Sequence, residues 1–280
     1  MTKTPHVVIT GATGFVARNV RKLLSENDII LHSISRRNFK GFRNEEKIIT
    51  NNYDPVEILP KIGRPDVLLH LVGIGSQSAK TDFNSVNFLL TKRIVKLCKL
   101  AGIKKIVYLS GLGVSKYNTL EYFLSKYRAE DEITKSGLDY TIFRPSYIVG
   151  RDDLLTRYLK RQIQQGQIFI PGSGQFQIQP ISIANVSQVI FESLTAKKFS
   201  NKTLDLVGPE LITYEAYVKK FSKYTRTKII KIPLEKAYYD AISGRGGNFG
   251  IDDLNLLIGS FCGNFKRLQA TCIVNIQPIG

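Results

Sequence analysis

The sequence predicts an α/β chain in which a doubly wound parallel sheet carries a small C-terminal lobe. Three observations predict it. The chain opens with a short β-branched run, Val7-Val8-Ile9-Thr10, that enters a glycine turn, Gly11-Ala12-Thr13-Gly14, and then a helical pattern. Strand-like and helix-like segments alternate five times before Gly150. The segment Asp66-Val67-Leu68-Leu69-His70-Leu71-Val72-Gly73 is almost wholly apolar, as a parallel strand covered on both faces must be.

The opening unit is specific enough to carry a ligand class. Val16, Val20, Leu23 and Leu24 recur at three- and four-residue steps and define the first helix. Gly11 permits a turn that would strain a residue with a Cβ. Gly14 lets the backbone approach a pyrophosphate, whose charge meets the free N–H groups at the helix start. Ala17 stands where a third glycine would, keeping helix and strand close. The spacing is G-x-x-G-x-x-A, and strand, turn, helix is the context in which such patterns bind a dinucleotide.

The second strand, Ile29 to Ile34, ends in Ser35-Arg36-Arg37. An acid on the ribose 2′-hydroxyl is usual at this point in NAD-binding chains. Two arginines stand here instead, and a guanidinium fork suits a 2′-phosphate. The expected cofactor is therefore NADP(H), with NAD(H) the other choice. Glu46 to Thr50 reads as a third strand and Asp66 to Gly73 as the fourth, with His70 a packed core histidine. A long amphipathic helix from Ser85 to Ala101 stops at Gly102. Lys104 to Ser110 is the fifth strand, Leu120 to Ser136 a helix, and Asp139 to Phe143 a sixth strand running into Arg144-Pro145-Ser146. Beyond Gly150 the rhythm changes. Residues 1–150 are expected to form the Rossmann-type domain, with a returning segment at about 178–208. Residues 151–177 and 209–280 are expected to form the substrate lobe. The glycine-rich Ser243 to Asn248 reads as a substrate loop or an unordered piece.

Composition narrows the class. The 280 residues, 43% of them hydrophobic, suffice for one α/β core with an appended lobe. No apolar run approaches the roughly 20 residues of a membrane span. The first strand begins at once, so no signal peptide is expected. Cys98, Cys262 and Cys272 lack metal-ligand spacing, so no metal is expected and a reducing, cytoplasmic setting is. Forty Lys and Arg against 23 Asp and Glu give a formal charge of +17, a field that attracts anions. The basic residues are dispersed and read as solvated helix faces. No nucleic-acid motif is present, and adhesion to an anionic membrane face stays open.

The chemical constellation is Tyr122 and Lys126, four apart on one helix face. A phenol near pKa 10 is a poor acid–base group at neutral pH, and a neighbouring cation together with an oxidised nicotinamide ring would lower that value. A second Y-x-x-x-K, Tyr224 and Lys228, lies far from any glycine turn before a helix and reads as a chance match.

These residues together resemble a known family. T-G-A-T-G-F at Thr10 to Phe15, H-L-V-G at His70 to Gly73, V-N-x-x-x-T at Val86 to Thr91, Y-x-x-S-K at Tyr122 to Lys126 and R-P-S-x-x-x-G at Arg144 to Gly150 are similar to the extended and atypical short-chain dehydrogenase/reductases, the NAD-dependent epimerase/dehydratase group. The stretch Ser136 to Ser146 is similar to the branch that holds the nucleotide-binding accessory subunit of respiratory complex I. The resemblance implies that Tyr122 is the general acid/base with Lys126 its partner, and that Gly11, Thr13, Gly14, Phe15 and Val16 cradle the cofactor. It further implies that Asn52, where the family usually has an Asp, lies near the adenine, and that Val72, Gly73, Arg144, Pro145 and Ser146 line the nicotinamide side. A carbonyl-polarising hydroxyl is expected just after the fifth strand. Leu112 aligns with the usual position, leaving Ser110, two residues early, and Ser115 as candidates. Relatives that act on sugar nucleotides often carry an Arg in the segment matching Gly174 to Ile178, where this chain has Gln175 and Gln177. Two functions follow: an NADP(H)-dependent oxidoreductase or epimerase/dehydratase acting on a small molecule, or a nucleotide-bound assembly protein without turnover, associated with a respiratory complex.

Overall fold

The computed structural model describes residues 4–243 and 250–279. The predicted segment Ser243 to Asn248 lies, from residue 244 on, outside the described residues.

The first half alternates as expected: β1 (His6–Thr10), α1 (Phe15–Ser25), β2 (Ile30–Ser35), β3 (Glu45–Ile49), α2 (Pro55–Ile62), β4 (Val67–His70), α3 (Leu90–Ala101), β5 (Lys105–Leu109), α4 (Glu121–Thr134) and β6 (Asp139–Pro145). Then come β7 (Ile148–Val149), α5 (Leu154–Gln164), β8 (Gln167–Pro171), β9 (Gln177–Ile178), β10 (Ile181–Ser182), α6 (Ile183–Ser193) and β11 (Lys202–Leu206). The chain closes with β12 (Ile212–Thr213), α7 (Tyr214–Phe221), β13 (Lys228–Ile232), α8 (Leu234–Ile242), α9 (Ile251–Ile258) and α10 (Phe265–Thr271).

Seven strands form one sheet in the order β11-β6-β5-β4-β1-β2-β3, every neighbouring pair parallel. The order reverses direction beside β1, so the first glycine turn sits at the carboxyl ends of the strands where such sheets bind ligands. Successive side chains of a strand point to opposite faces. Val7, Ile9, Leu31, Leu69 and Val107 accordingly pack under α1, α6 and α10. Val8, Ile34, Leu68, Ile106 and Tyr108 pack with α2, α3 and α4 on the other face. A third apolar cluster joins Leu159 of α5, Ile168 and Ile170 of β8, and Tyr214 and Val218 of α7.

Local chemistry sets several helix starts. Asp54, Asp153, Ser182 and Thr213 each accept a backbone N–H of the first turn of α2, α5, α6 and α7. One stretch departs from the expected helix. Asn84–Leu89 is π-helical and only Leu90–Ala101 is α-helical. The wider turn is accompanied by inward use of Asn87, whose side chain accepts from Ile74 N (3.0 Å) and donates to Ile74 O (3.3 Å) and Ser125 Oγ (3.1 Å). Such π-turns recur at functional sites, and this one ties the loop after β4 to α4.

Candidate functional site: a cleft over the first glycine turn

Gly11 has φ +77°, and a Cβ there would lie 3.1 Å from the carbonyl carbon and oxygen of Leu71. Only glycine makes this turn without strain. Its N–H and that of Ala12 both donate to Ile34 O, at 3.0 and 3.1 Å, which seats the turn on β2. Gly14 is the N-cap of α1 and no side chain caps that helix, so its first amides face outward. Beneath the turn, Arg21 is buried against Glu45. The guanidinium pairs with both carboxylate oxygens and donates to Ala12 O (2.9 Å) and Lys40 O (3.1 Å). The Phe39 ring lies 4.3 Å from it. Burial alone would raise the Glu45 carboxyl, but the bonds from Arg21 and the Phe42 amide outweigh it, so the group sits below its ordinary value.

A cavity of about 250 Å³ opens over this turn. Its walls include Gly14, Phe15 and Val16 on one side and Gly73, Ser110, Tyr122 and Lys126 on the other. Seven expected site residues therefore share one cavity. Gly11, Thr13, Val72, Pro145 and Ser146 are not among its lining residues. Val72 packs next to Gly11, while Pro145 and Ser146 bond through their backbones to Leu112 and Leu206. Arg36 and Arg37 are exposed just past β2, and Asn52 turns its carbonyl oxygen onto Asp54 N (3.1 Å). Tyr53 follows it, buried, with its hydroxyl near the Gly11 amide and Arg36. The residues present fit a dinucleotide. The uncapped first amides of α1 and a glycine without a Cβ suit a diphosphate, and Arg36 and Arg37 stand exposed beyond β2.

The Tyr122 hydroxyl packs on Gly111, where a Cβ would come within 2.7 Å of it, and the Phe83 ring lies 5.6 Å away edge-on. This burial pushes the phenol up to about 12, opposite to the lowering expected from Lys126. The reason is geometric: Lys126 Nζ donates to Leu109 O (3.1 Å) and stands 5.0 Å over the Tyr108 ring. Burial pulls the Lys126 ammonium down to about 8, opposed by the Glu130 charge. Below that value the site holds a cation. Between it and the ordinary 10.5 the unfolded chain keeps a proton that the folded chain has lost, so fold stability rises with pH there. Affinity for an anionic dinucleotide should do the reverse and fall through about pH 8. NADPH titrations across that range check it, and a flat profile would contradict a cationic role for Lys126.

The Ser110 hydroxyl is committed as a donor, and Ser115 is not among the residues lining the cavity. Ser110 Oγ donates to Glu130 Oε1 (2.5 Å), and Ser115 Oγ accepts from Tyr117 N (3.2 Å). Glu130 in turn takes a fork from Arg144, at 3.0 and 2.6 Å. Glu130 was missed in the sequence although Tyr122, Lys126 and Glu130 fall at steps of four along α4. His70 is buried, Nδ1 on Thr10 Oγ1 (2.8 Å) and Nε2 on Thr91 Oγ1 (2.9 Å), and burial pushes it down to about 3. Tyr224 is 91% exposed in a turn and Lys228 lies on β13, so that pair shares no helix.

A parallel sheet with a glycine turn at its topological switch and a cleft above it defines a nucleotide-binding Rossmann protein. A family model described as NAD(P)H-binding matches residues 11–197, and the chain belongs to that family. The chain is 24% identical over 217 residues to NADH dehydrogenase (ubiquinone) 1 alpha subcomplex subunit 9, mitochondrial, of Arabidopsis thaliana, covering 73% of this chain and 54% of that one. The Dictyostelium discoideum subunit of the same name is 25% identical over 230 residues, covering 78% and 64%. The chain thus spans little more than half the length of these relatives. A nucleoside-diphosphate-sugar epimerase from Staphylococcus aureus shares the fold, with a TM-score of 0.77 at 16% identity over 98% of this chain and 97% of that one.

Proposed function

We propose that the chain is an NADP(H)-binding oxidoreductase of the short-chain dehydrogenase type, working in the reductive direction on a small carbonyl compound. The observation that carries this is the single cavity that holds Gly14 on one wall and Tyr122 with Lys126 on the other. Gly11, Gly14 and the first amides of α1 would hold the diphosphate, and Lys126 the nicotinamide ribose. A nicotinamide dinucleotide supplies hydride when bound. Tyr122, kept protonated by its burial, gives its hydroxyl proton to the substrate oxygen. Glu130 holds Ser110 away from that oxygen, so Tyr122 stands as the donor.

Arg36 and Arg37 favour the 2′-phosphate form. Replacing Arg36 with Asp should weaken NADPH by roughly tenfold or more, the scale of a charge-assisted bond, and leave NADH within about threefold. Parallel titrations of the two nucleotides test it, and equal affinities in the unsubstituted chain would overturn the assignment. Mass spectrometry of the copurifying nucleotide tests cofactor binding directly.

A second reading is favoured by one observation. With Ser110 committed to Glu130, the site lacks a second polarising donor, worth on the order of 3 kcal/mol in other oxyanion sites. Together with the names of the relatives, this supports a nucleotide-bound subunit that assembles with an NADH dehydrogenase and turns over slowly or not at all. NADPH held tightly and consumed by no carbonyl compound would decide for it.

A further inference from the structure

We propose that residues 250–264 form a strap across the substrate half of the cleft, which excludes sugar nucleotides and leaves room beside Tyr122 only for a small, uncharged ligand. The proposal rests on the reading of the cavity as a dinucleotide site. Three sets of contacts carry it, each joining the strap to a different segment beside the cleft.

Asp252 at the start of α9 accepts from Gln77 N (3.2 Å) in the loop after β4. Phe261 packs edge-on against Phe123, centroids 4.8 Å apart, and Phe123 lies 5.0 Å from Tyr122. The same ring presses on Gly113, φ +89°, where a Cβ has no room. In the third set, Ser260 Oγ accepts from Gln177 N (3.1 Å), Gln179 Oε1 accepts from Gly263 N (2.8 Å) and Asp205 accepts from Asn264 N (2.9 Å). Gln177 lies on β9, in the segment Gly174 to Ile178. Here that segment is engaged by the chain itself.

The cavity agrees with this placement. All its lining residues lie between Gly14 and Lys126, and none comes from the later half of the chain. Electrostatics point the same way. Asp252 and Asp253 sit on the strap, and Asp253 acts on the Tyr147 phenol, which also senses Tyr122. Two carboxylates repel a second diphosphate, and the packing of Phe261 on the buried Phe123 ring keeps that side of Tyr122 apolar.

The test uses the full chain with and without NADPH, and UDP-glucose as the probe. Calorimetry should show no UDP-glucose binding at millimolar concentration in either state. Hydrogen exchange should show the Gln77 and Gln177 amides protected, because the strap accepts from both. Phe261→Ala should raise their exchange about tenfold while NADPH affinity changes less than about twofold. If Phe261→Ala does not unfold cooperatively, Phe261→Leu takes its place with a smaller rise. UDP-glucose binding to the unsubstituted chain overturns the proposal, as does unchanged exchange in a folded variant. Loss of NADPH binding in the unsubstituted chain would sink the cofactor reading and leave both strap measurements standing.

Discussion

Arg21→Ala is expected to destabilise the fold by about 3–5 kcal/mol, the scale for breaking a buried ion pair and leaving one charge alone. Both side chains of the Arg21–Glu45 pair are almost fully covered, at 2% and 0% exposure. The loss should appear as a fall in melting temperature on the order of 10 °C. NADPH affinity should fall with it, because Arg21 holds the Ala12 carbonyl and so the back of the glycine turn. Arg21→Lys should rescue little, since an ammonium cannot reproduce the fork. The pair also sets an acid limit. Glu45 titrates below its ordinary 4.5, so its contribution is present above that value and is lost as pH falls through the native one. A variant melting within 2 °C of the unsubstituted chain would remove Arg21 from this account.

Tyr122→Phe should lower NADPH-dependent carbonyl reduction by about 10²–10⁴-fold, the usual contribution of a positioned acid. Nucleotide binding should stay near normal. The substitution removes one oxygen from a ring already wedged between Phe83 and Phe123, so packing survives. The rate of NADPH oxidation with a set of small aldehydes and ketones checks it. Retained turnover would refute the acid role, and no turnover in the unsubstituted chain would favour the assembly reading.

Much of the cofactor half was legible because its signals are local. Gly11 and Gly14 sit in one turn, Val7 and Val8 alternate between faces, and Tyr122 and Lys126 lie one helical turn apart. The parts that could not be read are those that pair across distance. Arg21 meets Glu45 from another element, Ser110 meets Glu130, and Phe261 meets Phe123 from the far end of the chain. Nothing in a single sequence ranks such partners. The late segment hides its order for the same reason: β8 and β13 pair from Gln167 to Lys228 onward, some sixty residues apart in the chain. The Tyr122 phenol is the instructive miss. Proximity to Lys126 in sequence suggested a lowered value, but the ammonium turns to the Leu109 carbonyl and burial decides.

The outermost strand of the sheet has a consequence for how the protein is made. β6 ends at Pro145, yet its neighbour β11 is not complete until Leu206. During synthesis the edge of β6 stands unpaired while about sixty further residues emerge, roughly 3–12 s at ordinary elongation rates. An open edge of this kind is a template for other strands. A nascent chain halted between these points should therefore recruit chaperones and aggregate, whereas one released just beyond residue 206 can cover the β6 edge with its own β11.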